Sequence, residues 1–101
     1  MPYLLKKDSR ILTDIEEALS YYDTISVELG ERFESELILA LSKIENHPYH
    51  YFNLDQNIRR INLQSFPYKL VYVINEQRKE IIVIGLFHHY RNPKEIFERS
   101  E

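Results

Sequence analysis

The apolar residues of this chain change their period once, at Pro48. Before it, Ile11, Ile15, Ala18, Leu19 and Tyr22 recur at spacings of three and four, as do Leu29, Phe33, Leu37, Ala40, Leu41 and Ile44. Such spacing lines one face of a helix. After it come 58–63 (IRRINL), 68–74 (YKLVYVI) and 81–87 (IIVIGLF), short runs rich in β-branched and aromatic residues. That is the composition of strands. Each helix has a single apolar stripe, so the pair must cover something else, and the strands are what remains.

Local signals sharpen this reading. Asp8 or Ser9 can cap the first helix, and Asp14, Glu16 and Glu17 take the side opposite its apolar stripe. Asp23, Thr24 and Ser26 offer turn chemistry between the helices. Gly30 allows a close approach to the first helix. Asn46 and His47 precede Pro48 and end the second helix, because a residue before proline avoids helical angles. The turns 64–67 and 75–80 are too short for a parallel crossover, so the strands they join are antiparallel neighbours. In 68–74, Tyr68, Leu70, Tyr72 and Ile74 share one face and Lys69, Val71 and Val73 the other. The run 81–87 is apolar on both faces and belongs inside the sheet. Residues 2–7 read as a first strand. Residues 49–57 read as a loop anchored by Tyr49, Tyr51 and Phe52. Residues 94–101 read as an amphipathic turn folding back through Ile96 and Phe97. Tyr21, Tyr22, Phe33, Phe66, Tyr68 and Tyr72 are placed to cement helices to sheet. The expectation is one α+β domain over 1–101, ordered β-α-α-β-β-β, with a helical hairpin packed on an antiparallel sheet.

Several chemistries are excluded. The 101 residues include no cysteine, so there is no disulfide framework or thiolate centre, and a reducing cytosol fits. No stretch has the length of a membrane span, and the N-terminus lacks the order of a signal peptide. The two glycines are too far apart for a phosphate loop. His47 and His50 have no second ligand pair beside them, so neither metal nor cofactor is expected. Charge is unevenly spread. Residues 1–56 carry eleven acids and five Lys/Arg, net −6, and residues 57–101 carry five acids and eight Lys/Arg, net +3. Either the two halves meet different partners or the exposed helices simply collect Glu.

At several points the sequence resembles the RelE/ParE toxins. These are Leu29-Gly30 followed by Arg32-Phe33, the Asn46-x-Pro48 exit, the Arg59-Arg60 pair, and Phe66-Pro67-Tyr68 entering a strand with Leu70-Val71-Tyr72. The last is the His-x-x-Arg-x-Pro spacing from His88 to Pro93. The resemblance covers nearly the whole chain. It implies a cytoplasmic toxin of a type II toxin–antitoxin, plasmid-stabilisation kind of system, held inactive by a cognate protein antitoxin. Two actions occur in that superfamily, inhibition of DNA gyrase and ribosome-dependent cleavage of mRNA, and one fold hosts both.

Metal-free RNA cleavage needs a base, cationic donors for the phosphate, and an acid. Arg59, Arg60, His88, His89, Tyr90 and Arg91 supply these types. Strand alternation lets only about half of them converge. The resemblance puts working residues on the sheet face away from the helices and on the C-terminal segment. One of Arg59 and Arg60 would then join His88 and Tyr90, or His89 and Arg91. Arg60, His88 and Tyr90 are the preferred set, since Arg60 is out of phase with the core-like Ile61 and Leu63. The structural alternatives are a hydrogen-bonded histidine at a strand end, Arg91 bonding turn carbonyls, and arginines pairing with helix glutamates. Relatives that cut RNA on the ribosome are strongly basic, whereas this chain has a pI of about 5.8 and Lys69 stands nearly alone on its strand. That favours the gyrase action. The mRNA endoribonuclease is the alternative, and an antitoxin-binding module of little toxicity is a third.

Overall fold

A computed structural model describes residues 2–100. Strand β1 (Leu4–Lys7) leads into helices α1 (Ser9–Ile25) and α2 (Val27–Asn46). Strands β2 (Phe52–Asp55), β3 (Ile58–Asn62), β4 (Tyr68–Asn75) and β5 (Glu80–His88) follow, and a short α3 (Pro93–Arg99) closes the chain. The sheet runs in the order β1-β5-β4-β3-β2. Strands β2 to β5 are antiparallel neighbours. Strand β1 lies parallel to β5, which its long connection through both helices permits. The sheet is therefore mixed, and β5 is an interior strand as its two apolar faces imply.

Two elements differ from the sequence reading. The expected loop at 49–57 contains β2, paired to β3 through Phe52 opposite Arg60. The tail forms α3 rather than a turn, capped by Asn92, whose side chain accepts from the Lys94 amide. Ile96 is buried, whereas Phe97 is 39% exposed. Glu101 lies outside the described residues.

The hairpin turn is nearly a single residue. The Ser26 amide donates to the Tyr22 carbonyl, ending α1, and its hydroxyl accepts from the Leu29 amide, starting α2. One such cap stabilises by about 1 kcal/mol. Gly30 is buried against α1, and a Cβ there would lie 1.8 Å from Asp23 Oδ1. The helix stripes cover Ile61, Leu63, Leu70, Tyr72, Ile74, Ile81, Val83 and Leu86. Tyr22, Phe33 and Phe66 meet edge-on or tilted, with centroids 4.7 to 5.2 Å apart. Tyr21 is exposed, with its ring edge-on to Tyr22 at 5.1 Å on the outside of this cluster. On the other face, Ile58, Val71, Ile84 and Phe87 form a smaller cluster closed by Ile96 of α3. That face is thus partly covered rather than open.

Asp14 contradicts its expected place among the solvated acids of α1. It is 7% exposed. Arg99 donates to it from both terminal nitrogens, at 2.5 and 3.1 Å, and the Leu86 amide donates to it at 3.1 Å. The reason is the shortness of β1, whose pairing stops at Lys7 opposite Val83. Beyond that point the edge of β5 has no strand beside it, and a buried amide without an acceptor is costly.

At the opposite end of the sheet, the Tyr3 hydroxyl, the Tyr49 hydroxyl and the Lys79 ammonium converge on Glu76. These hydrogen bonds, Lys79 first, hold the Glu76 carboxyl down at about 2. The same contact, reinforced by burial, pushes the Tyr49 phenol up to about 12.

Two outcomes are expected. Asp14→Ala leaves Arg99 buried without its partner and costs about 3–5 kcal/mol. Arg99→Met added to it recovers part of the loss, read from urea midpoints. For Glu76 the folded pKa is depressed, so its contribution is complete above the ordinary 4.5 and disappears as pH falls through about 2. The gap in urea midpoint between wild type and Glu76→Gln is then open at neutral pH and closed near pH 2.

Candidate functional site

Alternation along β3 and β4 sets which side chains reach the face away from α1 and α2. Ile61 and Leu63 enter the main core, so Arg60 and Asn62 project to the other side. On β4 the same argument sends Lys69, Val71 and Val73 outward while Leu70 and Tyr72 go inward. Strand β5 departs from simple alternation. Val71 pairs with Gly85, but Tyr72 pairs with Val83, leaving Ile84 as an extra residue. A bulge of this kind shifts the phase by one. Hence Ile82 and Ile84 face outward together with Phe87, whereas Ile81 and Val83 face inward together with Leu86.

This phase shift decides which histidine joins Arg60. Arg60, Asn62, Lys69 and His89 line one groove of about 250 Å³. The His89 amide donates to the Pro67 carbonyl at 2.9 Å, tying the end of β5 to the β3–β4 turn. His88 lies on the other face. Its ring meets Tyr68 edge-on at 5.2 Å and lies tilted to Tyr90 at 5.3 Å, and its Nδ1 accepts from the Tyr90 amide at 3.2 Å. Tyr90 is 92% exposed. So the preferred set of Arg60, His88 and Tyr90 is divided between two faces, because the Gly85 bulge reverses the alternation.

The remaining candidates are engaged structurally. Arg59 points to the helix side and donates from Nη1 to the Tyr49 and Tyr51 carbonyls at 3.0 and 2.9 Å. Its Nε is buried without a partner. Arg91 pairs with Glu95 one helical turn on, at 2.7 Å, with its guanidinium 5.6 Å from the Phe87 ring centre. His47 and His50 sit in the turn after α2.

The groove has an uncompensated positive sign. The guanidinium of Arg60 stacks on Phe52 at 4.5 Å, and the groove is lined by no acid. Burial, and then the Arg60 charge, hold the Lys69 ammonium below its ordinary pKa. Phe52 is 60% exposed and extends the groove with an aromatic surface. Sequence reading passed over Lys69 as isolated because its neighbours are on adjacent strands, not on its own. The signal for the histidine was Gly85 inside an apolar run, a mark of a bulge.

A hairpin of helices thus lies across a mixed sheet, with a cationic groove on the far face. Residues 6–93 match the ParE toxin of type II toxin-antitoxin system, parDE, and the chain belongs to that family. It is thus the toxin type of component in a type II toxin–antitoxin system. Among solved structures it is similar to the chromosomal ParDE system of P. aeruginosa. There the TM-score is 0.68 at 13% identity, over 85% of this chain and 95% of that one. It is also similar to a free, arginine-to-alanine mutant of the E. coli toxin RelE, with TM-score 0.61 at 18% identity over 99% and 95% of the two chains. A third is the RelBE2 toxin–antitoxin complex of Mycobacterium tuberculosis, with TM-score 0.60 at 14% identity over 87% and 99%. At such identities the likeness shows the fold. No curated protein matches the sequence. No helix among the described residues is long and apolar enough to cross a membrane.

Arg60→Met removes the neighbouring charge but keeps bulk. It is expected to raise the Lys69 titration midpoint while leaving it below the ordinary value, since burial is the larger cause. Carbon NMR of the Lys69 Cε resonance measures this, and an unchanged midpoint would remove the coupling.

Proposed function

We propose that this chain is the growth-arresting partner of a cognate antitoxin in the cytoplasm, and that the free toxin acts by binding DNA gyrase. The match to the ParE family over residues 6–93 carries this reading. The division of the polar set supports it, since Arg60 lies on one face with His89 while His88 and Tyr90 lie on the other. A binding toxin needs no convergent acid and base. The modest basic charge agrees, because extended RNA contact requires many cations.

One observation favours a second reading, cleavage of mRNA on the ribosome. The groove gathers Arg60, Lys69 and His89, which are types suited to phosphate stabilisation and proton transfer. Inducible expression distinguishes the two. On the gyrase reading, wild type, Arg60→Ala and His89→Ala all arrest growth, mRNA stays intact and a DNA-damage response appears. Purified toxin then blocks gyrase supercoiling in vitro. Cleaved mRNA, together with loss of toxicity in Arg60→Ala and His89→Ala, would replace that reading with the nuclease. Absence of growth arrest and of both signals would leave an antitoxin-binding module.

A further inference from the structure

The side of the helical hairpin turned away from the sheet carries an apolar seam. Asp23 of α1 lies against Gly30 of α2. The two helices are antiparallel, so Ile15 comes level with Ile38 and Leu12 with Leu41. Ile15, Leu19 and Leu41 are half-buried and pack on the main core. Leu12 and Ile38 beside them are 58% and 60% exposed. A single exposed aliphatic side chain is ordinary, but these two share one strip with three more.

The rim of the seam is acidic. Glu16 stands one turn beyond Leu12, and Glu34 and Glu45 recur with Ile38 and Leu41 along one side of α2. All three are exposed. Among the described residues none of them enters an ion pair, whereas Asp8, Asp14, Glu76, Glu80 and Glu95 each hold a cation. Four residues after Glu16 and Glu34 stand Ser20 and Ile38. The lysine or arginine that would offset each charge on its own helix is therefore missing. Glu31, three residues before Glu34, adds repulsion instead. Of the cations on these helices, Arg10 bonds Asp8, and Arg32 and Lys43 stand on the β3 flank of α2 with Leu39.

We infer that this seam docks a basic amphipathic helix of the toxin's target, laid along the hairpin as a third helix. Its apolar stripe covers Leu12, Ile15, Ile38 and Leu41, with anchors at the spacing of helical turns. Lysines or arginines flanking the stripe meet Glu16, Glu34 and Glu45. The carboxylates decide the occupant. A second copy of this chain would set its own Glu16, Glu34 and Glu45 against them. A nucleic acid or an anionic membrane is repelled in the same way. An enzyme that grips DNA carries lysines and arginines where the phosphates lie, so the proposed target, gyrase, offers surface of the required sign. For the owner of the helix alone the inference rests on the proposed function. Opposite signs also speed the encounter, and salt slows it.

Two titrations of the whole chain test this. In the first, amide NMR follows a capped helical peptide whose leucine stripe is flanked by lysines, and its leucine–glutamate counterpart. The Leu/Lys peptide is expected to bind and to shift the Leu12 and Ile38 amides, and the Leu/Glu peptide is not. In the second, purified DNA gyrase is the probe, and binding is read at low and high salt beside inhibition of supercoiling. Ile38→Lys and the pair Glu34→Lys/Glu45→Lys are each expected to weaken both kinds of binding by about tenfold or more. The pair Asp55→Lys/Glu98→Lys changes the net charge equally at exposed sites on β2 and α3 and leaves both unchanged. Spectral dispersion confirms that each variant is folded. Peptide binding indifferent to the hairpin variants, an unmoved Ile38 amide, or equal binding of the Leu/Glu peptide overturns the docking seam. Gyrase bound and inhibited equally by Glu34→Lys/Glu45→Lys overturns the seam as its site and leaves the proposed function intact. Peptide bound at the seam, with gyrase neither bound nor inhibited by wild type, overturns gyrase as owner of the helix together with that function. Hairpin variants that keep gyrase but lose the small protein encoded beside the toxin assign the seam to that protein and overturn the inference.

Discussion

The fold depends on how the exposed half of β5 is closed. Strand β1 ends after four residues, and the Asp8 amide makes the last contact, to the Val83 carbonyl at 2.9 Å. The chain then turns into α1. Strand β5 continues to His88 with no neighbour on that side. Side chains replace the missing strand. Asp14 accepts from the Leu86 amide, Arg99 donates to the Ile84 carbonyl at 3.2 Å, and the two side chains bond each other. Taking two charges out of water is repaid only by good geometry and further hydrogen bonds. Here the amide and the carbonyl of β5 supply those bonds.

That closure also explains the bulge. A Cβ at Gly85 would lie 2.7 Å from Arg99 Nη1 and 2.5 Å from the Phe87 ring. Only glycine leaves room for the guanidinium, which stacks 4.7 Å from the centre of the Phe87 ring. With Ile84 extra in the ladder, Phe87 turns outward and receives Ile96 of α3. His89 then follows onto the far face. The same few contacts therefore close an edge, seat the last helix and choose which histidine stands beside Lys69.

Much of the architecture was legible before the structure. Each helix stripe needed a cover, and the short turns left antiparallel pairing as the only way to provide one. What escaped was set by distance along the chain or by length. Asp14 is three residues from Ile11 and four from Ala18, which is the spacing of the buried face, yet on its charge it was read with Glu16 and Glu17 on the opposite side. Its partner is 85 residues away. Strand β2 has four residues with one aliphatic side chain, too few for a pattern, and it exists because β3 offers it an edge. The site suffered from the same limits. Residue types were readable, but the pairing of Arg60 with His89 instead of His88 required knowing that Gly85 breaks the alternation.

Electrostatics narrow what the far face can hold. The chain is net −3, yet at physiological ionic strength such a charge is screened beyond about 8 Å. An approaching group therefore senses the local sign, and near Arg60 and Lys69 that sign is positive. Their mutual repulsion is relieved by one or two carboxylates or by a single phosphate. A long polyanion needs a track of cations, and beyond this groove the face presents Val71, Val73, Ile84 and Phe87, covered in part by α3. The neighbouring surface is aromatic at Phe52 and apolar at Leu39.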